Sequence, residues 1–347
     1  MIELLNSNYP PLVTKMQTFP DVFFSLLQKS TSVKIASGYI SEEAIAELLG
    51  LYNNGLKIKM FLVIGMHYFD GFTVGQYEAL LSLADLLNSN NLGNVLLSRV
   101  SKYHGKVYSF TDIENDYSAI IGSSNLTKIN TSEKIYDTDI LISKEKINTE
   151  IEIFLSDLQK KYCRNINEID RNEIKIIEPK NLFEGYLEVE KITDAEKVKV
   201  INSLMSISFD IEIKPEEKSH LNCYHGKGRE TPNGLIRPRP WYESNVMVPK
   251  EITSLPDYPS NIDFTVITDD GYKFKCVTNG DYAKNLRSAG DLQILGRWLK
   301  GRMENSNVLK IGDKVTVDTF IRYGRNTIKL TKTTIPNTWY MDFGANK

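Results

Sequence analysis

Apolar and polar positions change period along the chain, and the changes divide it into elements. Residues 13–30 carry apolar side chains at helical spacing, which predicts a helix that Pro20 either kinks or opens. V-K-I-A-S-G-Y at 33–39 reads as a strand. Ser41 then heads S-E-E-A-I-A-E-L-L-G-L-Y-N-N-G, where Ser caps, acids fill the first turn and Asn54-Gly55 end the helix. L-K-I-K-M-F-L-V-I-G at 56–65 turns wholly apolar, as a strand buried on both faces does. A helix over 73–87 and a strand over 95–100 follow. Strands alternating with helices predict an α/β layer structure.

Residues 103–127 break that alternation: Y-H-G-K-V-Y-S-F-T-D-I-E-N-D-Y-S-A-I-I-G-S-S-N-L-T. Aromatic and β-branched residues at 106–110 and 117–121 predict two strands, and the polar turn 111–116 joins them as a hairpin. His104 and Lys106 are two apart, so on a strand the imidazole and the ammonium project from one face. Gly122-Ser123-Ser124-Asn125 ends the second strand and brings hydroxyls and an amide to the same region if the hairpin closes antiparallel. An imidazole, a fixed cation and neutral donors around one point make a phosphate site. A polar loop at 128–134, a strand at 136–143 and an amphipathic helix at 144–162 complete this domain. Mixed charges at 165–181 mark the boundary, giving domains at 1–175 and 191–347 with a linker at 176–190.

The remainder reads differently. Short extended stretches at 199–213, 262–268, 273–277, 314–322 and 327–331 are separated by D-D-G, N-G, I-G-D and Y-G-R-N turns, which predicts an antiparallel barrel or sandwich. One helix, 291–303, interrupts it, and there is no internal repeat.

Length and charge agree with two domains. A chain of 347 residues exceeds one typical core. The net charge of -2 hides an asymmetry: residues 1–200 hold 21 Lys and Arg against 27 Asp and Glu, and residues 201–347 hold 21 against 17. The second part is the better surface for nucleic acid. Within it, 222–241 carries Lys227, Arg229, Arg237 and Arg239 against one acid, with Tyr224 and Trp241 interleaved. The segment 279–302 carries five basic residues against two acids, with Tyr282 and Trp298. Such loops suit base edges and phosphates, although a solvated barrel rim would look the same. The three cysteines are far apart and odd in number, which argues against a disulfide framework or a zinc site. No His/Asp/Glu cluster has metal spacing, no Walker A sequence occurs, and no signal peptide or long apolar run is present. The expectation is a cytoplasmic protein away from the membrane.

H-x-K alone carries little weight, and the chain supplies its own control. His225-Gly226-Lys227 repeats H-G-K among Gly, Pro and Asn with no strand behind it, and reads as a basic loop. His67 reads as structural or as part of a cleft rim. The first copy, followed by strand, turn, strand and G-S-S-N, resembles the half-site of the phospholipase D superfamily. The resemblance covers the hairpin and, more loosely, residues 30–160. It implies a mixed sheet flanked by helices, with two half-sites meeting in one centre. His104 would be nucleophile or general acid, and Lys106, Ser123 and Asn125 would bind phosphate oxygens. Asp137 falls where relatives usually place a Glu that orients the histidine, and Asp139 is two residues further on. Metal-independent hydrolysis through a covalent phosphohistidine would follow, without a cofactor. One chain offers one such half-site, so a homodimer sharing one centre is expected; the rival is that His225 or His67 completes the site within the chain.

The second half resembles a B3-like DNA-binding domain, an all-β pseudobarrel that grips the major groove with two arms. Residues 222–239, with Lys227, Arg229, Arg237 and Arg239, would form the first arm. Residues 280–288, with Asp281, Lys284, Asn285 and Arg287, would form the second. The combination is similar to restriction endonucleases of the NgoFVII/NgoAVII type, and in organisation to BfiI. It implies double-stranded DNA as substrate and a cognate methyltransferase. It also implies that any need for ATP is met by a separate helicase-like ATPase. The alternatives are a nonspecific nuclease or phospholipase of the superfamily, and a DNA-binding regulator whose nuclease domain is degenerate.

Overall fold

The computed structural model describes residues 1–345 except 128, 130–134, 178–181, 184–185 and 231–235. The polar loop expected at 128–134 therefore lies outside the described residues, apart from Ile129. The chain forms two units, one of Met1–Pro179 with Gly228–Pro238 and one of Lys180–Lys227 with Arg239–Lys347.

The first unit is built on an eight-stranded mixed sheet. Its elements are β1 (Ile2–Asn6), α1 (Phe19–Lys29), β2 (Ser30–Ser37), α2 (Glu42–Asn53), β3 (Lys59–Ile64), α3 (His67–Asp70), α4 (Val74–Ser89), β4 (Gly93–Ser98), β5 (Lys106–Asp112), β6 (Tyr117–Gly122), β7 (Thr138–Ser143), α5 (Ile147–Tyr162) and β8 (Cys163–Asn165). Pro20 opens α1 rather than kinking a longer helix. It stands in the first turn, where its missing N–H has no partner to lose, and the Thr18 hydroxyl caps the end by accepting from the Asp21 N–H. Residues 13–18 are consequently not helical.

The strand order is β1-β7-β6-β5-β2-β3-β4-β8. β2, β3 and β4 run parallel, while β5 opposes β2 and begins the antiparallel part. On one face α1 sets Phe19 against Tyr108 and Phe23 against Phe110, with ring centroids 4.8 and 5.6 Å apart. On the other, Ile151, Leu155 and Leu158 of α5 pack on Ala36, Val63, Val107 and Ala119. Covering both faces accounts for the apolar run in β3. The register decides where chemistry can gather. Ser37 pairs with both Ile64 and Lys106, Val107 pairs with Ile121, and Gly122 pairs with Asp139. The ends of β2, β3 and β6 and the starts of β5 and β7 thus share one end of the sheet.

The second unit holds β9 (Glu190–Lys191), α6 (Asp194–Asn202) and β10 (Leu204–Glu212). The short pair β11 (Arg229–Glu230) and β12 (Ile236–Arg237) belongs to the first unit. The second unit continues with β13 (Val246–Met247), α7 (Lys250–Thr253), β14 (Asp263–Thr268), β15 (Tyr272–Asn279), β16 (Asn285–Ser288), α8 (Ile294–Asn305), α9 (Val317–Tyr323), β17 (Thr327–Thr333) and β18 (Thr338–Asp342). Its sheet runs β10-β17-β18-β14-β15-β16-β13, with β9 added beside β15; β14 and β18 pair in parallel and the other described pairs are antiparallel. Two stretches expected to be extended are helical in part, the first only ahead of β10. Residues 199–202 are the last turn of α6, and 317–323 form α9, where Thr316 makes a capping box with Thr319 and Gly324 ends the helix at φ 88°.

Candidate active site

His104 is exposed just before β5, at the shared end of the sheet. The approach to it is narrow. The Tyr103 N–H donates to the Gly65 carbonyl at 3.1 Å, and a Cβ at Gly65 would stand 1.8 Å from the Tyr103 oxygen. Gly65→Ala must therefore push the 103–104 segment away. The phosphodiester cleavage that the resemblance implies is expected to fall by about 100-fold or more with little change in circular dichroism, because such chemistry tolerates displacements of only a fraction of an ångström.

Lys106, the first residue of β5, is buried, and its ammonium donates to the His104 carbonyl at 2.8 Å. The same nitrogen lies 3.4 Å from both His104 ring nitrogens, so cation and imidazole do share one face. Burial lowers the Lys106 pKa, and the charge of Asp137 opposes that shift.

The two serines after β6 divide the work. The exposed Ser123 hydroxyl donates to Asp137 Oδ1 at 2.6 Å and accepts from the Thr138 N–H at 3.0 Å. Ser124 turns inward, where Asp139 accepts from its hydroxyl at 2.6 Å and from its N–H at 3.1 Å, and its carbonyl accepts from Tyr108 Oη at 2.8 Å. Burial raises the Asp139 pKa, and the Ser124 hydrogen bonds pull it the other way. Gly122 leaves the space this carboxylate fills, since a Cβ there would sit 2.3 Å from Asp139 Oδ1. Among the described hydrogen bonds, the Asp137 carboxylate meets Ser123 and not the His104 ring. Asn125 Oδ1 accepts from the Tyr39 N–H at 3.3 Å, which leaves its Nδ2 as the donor for a ligand.

Three residues at this end, Tyr39, Asp70 and Lys102, were not legible as site residues, and His67 was read only as structural, as part of a cleft rim or as a rival partner for His104. The Tyr39 ring stands edge-on to His104 with centroids 5.9 Å apart, and its hydroxyl donates to Asp70 at 2.7 Å. Lys102 donates to the other Asp70 oxygen at 2.6 Å. His67 is buried, with Nδ1 2.8 Å from the Gly71 carbonyl and Nε2 accepting from the Ile40 N–H at 3.2 Å. Both ring nitrogens are thus engaged with backbone, and His67 has none to offer a phosphate.

His225 lies in the second unit, its ring edge-on to Tyr224 and Trp241. One acidic grouping went unseen in the sequence. Asp112, Glu114 and Asp116 bring carboxylate oxygens within 4.8 Å of one another at the far end of β5 from His104. Asp112 Oδ1 accepts from the Glu114 and Asp116 N–H groups and Lys144 pairs with Asp116 at 2.6 Å, so this is a self-bonded turn.

The residues expected on the arms are placed as follows. Lys227 and Arg229 are exposed, and the Lys227 carbonyl accepts from Arg239 Nε at 3.1 Å. Arg239 pairs with the buried Glu243. Arg237, within the first unit, pairs with Asp21 and lies 5.2 Å from the centroid of the Phe24 ring. On the second arm Asp281 is exposed and lies 3.7 Å from the Lys284 ammonium. Asn285 and Arg287 alternate along β16 with the buried Leu286 and Ser288, so they share the outward face. The interleaved aromatics are mostly core: Tyr224, Trp241 and Trp298 are buried and only Tyr282 is exposed. Two of the five basic residues at 279–302 are likewise structural, since Lys300 is fully buried and Arg302 pairs with Asp269 through both terminal nitrogens.

Comparison with known families decides the class. Residues 17–171 match the NgoFVII restriction endonuclease N-terminal phospholipase D domain, and residues 199–334 match the NgoFVII C-terminal B3-like DNA-binding domain. The chain belongs to the NgoFVII restriction endonuclease family. It is a phospholipase D-type nuclease chain with a B3-like DNA-binding domain. His104, Lys106 and the G-S-S-N loop all fall inside the first NgoFVII match, and both arms fall inside the second. Among solved structures, Nuc from Salmonella typhimurium, a phospholipase D family member, is 15% identical over 48% of this chain and 97% of its own, with a TM-score of 0.33. NucT from Helicobacter pylori is 15% identical over 48% of this chain and 99% of its own, with a TM-score of 0.32. The phosphatidylserine synthase of Haemophilus influenzae is 11% identical over 49% of this chain and 41% of its own, with a TM-score of 0.35. No curated protein matches the chain. Among the described residues no helix is long and apolar enough to cross a membrane.

Proposed function

We propose that the chain is a site-specific DNA endonuclease, acting as a homodimer with one shared active centre and without a metal ion. The observation that carries the reading is the cluster of His104, Lys106, Ser123 and Asn125 at one end of the sheet, in a chain that also has a DNA-binding domain. The neutral His104 imidazole attacks phosphorus, a P–N bond forms, and the bond to the leaving sugar oxygen breaks. His104 of a second copy gives that oxygen its proton. The same residue then takes a proton from water as the water cleaves the P–N bond, so one group serves as acid and then base. The Lys106 ammonium and the Asn125 amide hold the charge that gathers on the phosphoryl oxygens, where fixed donors matter most. Ser123, tied to Asp137, lies beside them. No step calls on a cofactor; ATP would enter only through a separate helicase-like partner, and a methyltransferase would protect the host's own sites.

In this reading the two basic arms supply the site preference, through Lys227, Arg229, Arg237 and Arg239 on one and Asp281, Lys284, Asn285 and Arg287 on the other. The test is plasmid DNA incubated with the protein in EDTA. Discrete fragments are expected. A smear would favour a nonspecific nuclease, and binding without cleavage would favour a DNA-binding regulator, an outcome that the engagement of Asp137 with Ser123 makes worth checking.

A further inference from the structure

His67 stands at the catalytic end of the sheet and the proposed reaction gives it no task. Its surroundings do. With Nδ1 facing the Gly71 carbonyl at 2.8 Å, the proton sits on Nδ1 and the Nε2 lone pair is free to accept from the Ile40 N–H. The ring is stacked on Phe72 with centroids 4.9 Å apart and planes 19° from parallel, and meets Tyr39 edge-on at 5.4 Å, so it cannot swing.

The segment it holds is the turn between β2 and α2. Three successive N–H groups of that turn are engaged. Tyr39 donates to Asn125 Oδ1 at 3.3 Å, Ile40 to His67 Nε2 at 3.2 Å, and Ser41 to the Leu126 carbonyl at 3.1 Å. The Ser37 hydroxyl ties the same pieces from beneath, donating to the Tyr39 carbonyl at 2.7 Å and accepting from the Leu126 N–H at 3.0 Å. The turn and the G-S-S-N loop are therefore laid side by side, and the central N–H of the turn has the imidazole as its partner.

We propose that His67 is a positioning residue that fixes the direction of the Asn125 amide through the Ile40–Tyr39 backbone. An Asn side chain can present oxygen or nitrogen to a ligand, and only the nitrogen helps a phosphoryl oxygen that is gaining charge. The Tyr39 N–H selects by occupying Oδ1, and it stays in place because Ile40, itself only 3% exposed, has the imidazole to bond. Removing that acceptor would strand a buried N–H, and the turn would shift to satisfy it. The proposal rests on Asn125 being a donor to the phosphoryl oxygens.

Steady-state hydrolysis of bis(4-nitrophenyl) phosphate by the full chain tests it, since this phosphodiester needs no DNA recognition. His67→Ala is expected to lower kcat by about 10- to 100-fold with KM nearly unchanged, the signature of a lost transition-state contact. His67→Gln, which can place an amide oxygen near the Nε2 position, is expected to recover most of the loss, and it carries the test if the alanine variant does not fold. Asn125→Ala alone should cost as much as Asn125→Ala with His67→Ala, because the two act on one contact. Additive losses in the double variant, or wild-type kcat in a folded His67→Ala protein, would overturn the proposal. His104→Ala separates the two levels: if it hydrolyses the substrate at the wild-type rate, the reading of the site is wrong whatever His67 does.

Discussion

His104→Ala is expected to lower DNA cleavage by more than about 1,000-fold while leaving folding and DNA binding as they are. The side chain is exposed, so its removal opens no cavity in the core. Lys106 keeps its bond to the backbone carbonyl of residue 104, so the cation stays where it is. In the proposed reaction the loss is thus of the nucleophile and not of the site around it. The same variant tests the shared centre. If each centre needs His104 from two copies, wild-type protein exchanged with variant gives active dimers in proportion to the square of the wild-type fraction. Diluting wild type to one half should leave about a quarter of the activity in EDTA-containing buffer. A linear fall to one half would mean that each chain carries a complete centre, and the shared centre would be wrong.

How much of this could be read beforehand followed from how local each feature is. His104, Lys106, Ser123 and Asn125 lie on one hairpin, and the pairing of Val107 with Ile121 alone brings them together. Alternating aromatic and β-branched residues announced both strands. Tyr39, His67, Asp70 and Lys102 come from the ends of other strands, and only the order β5-β2-β3-β4 makes them neighbours. The resemblance singled out Asp137 over Asp139, but the sequence did not show which of the two is buried, since both fall near one end of β7. Burial separates them, Asp139 being 2% exposed and bonded to Ser124 while Asp137 meets the exposed Ser123.

In the second unit the failures have a common cause. V-T-V-D-T-F-I alternates like a strand, yet the capping box at Thr316 and the left-handed Gly324 bound a seven-residue helix. Local end signals outweighed periodicity there. Lys300 and Arg302 count as surface charge in a composition, although one faces the Trp241 ring and the other Asp269. A charge tally sees residues but not what they are buried against, so the basic surface of the second half is smaller than its 21 Lys and Arg suggest.

Those buried charges set the last expectation. Glu304→Ala should destabilise the second unit by about 3–5 kcal/mol. Glu304 accepts from Trp241 Nε1 at 2.7 Å and from Tyr242 Oη at 2.8 Å, and its charge is the first of those that favour the ammonium of Lys300 one turn earlier. Lys300 has no exposed surface, donates to the Trp241 carbonyl at 2.7 Å and lies 3.6 Å from the centre of the Trp241 ring. Removing Glu304 strands two donors and takes a counter-charge from a buried cation. Burial pushes Lys300 down to about 7, against about 10.4 for a lysine in water. Between those values the unfolded chain binds the extra proton. Stability therefore rises with pH across that window, by at most about 1.4 kcal/mol per pH unit, and is lost as pH falls towards 7. Lys300→Met should remove the slope, because methionine carries no titrating proton. All three tryptophans, Trp241, Trp298 and Trp339, belong to the second unit, so their fluorescence in urea reports this unit. An unfolding midpoint that is equal at pH 7 and pH 9 in the wild type would show that Lys300 keeps an ordinary pKa in the folded chain, and would overturn this expectation.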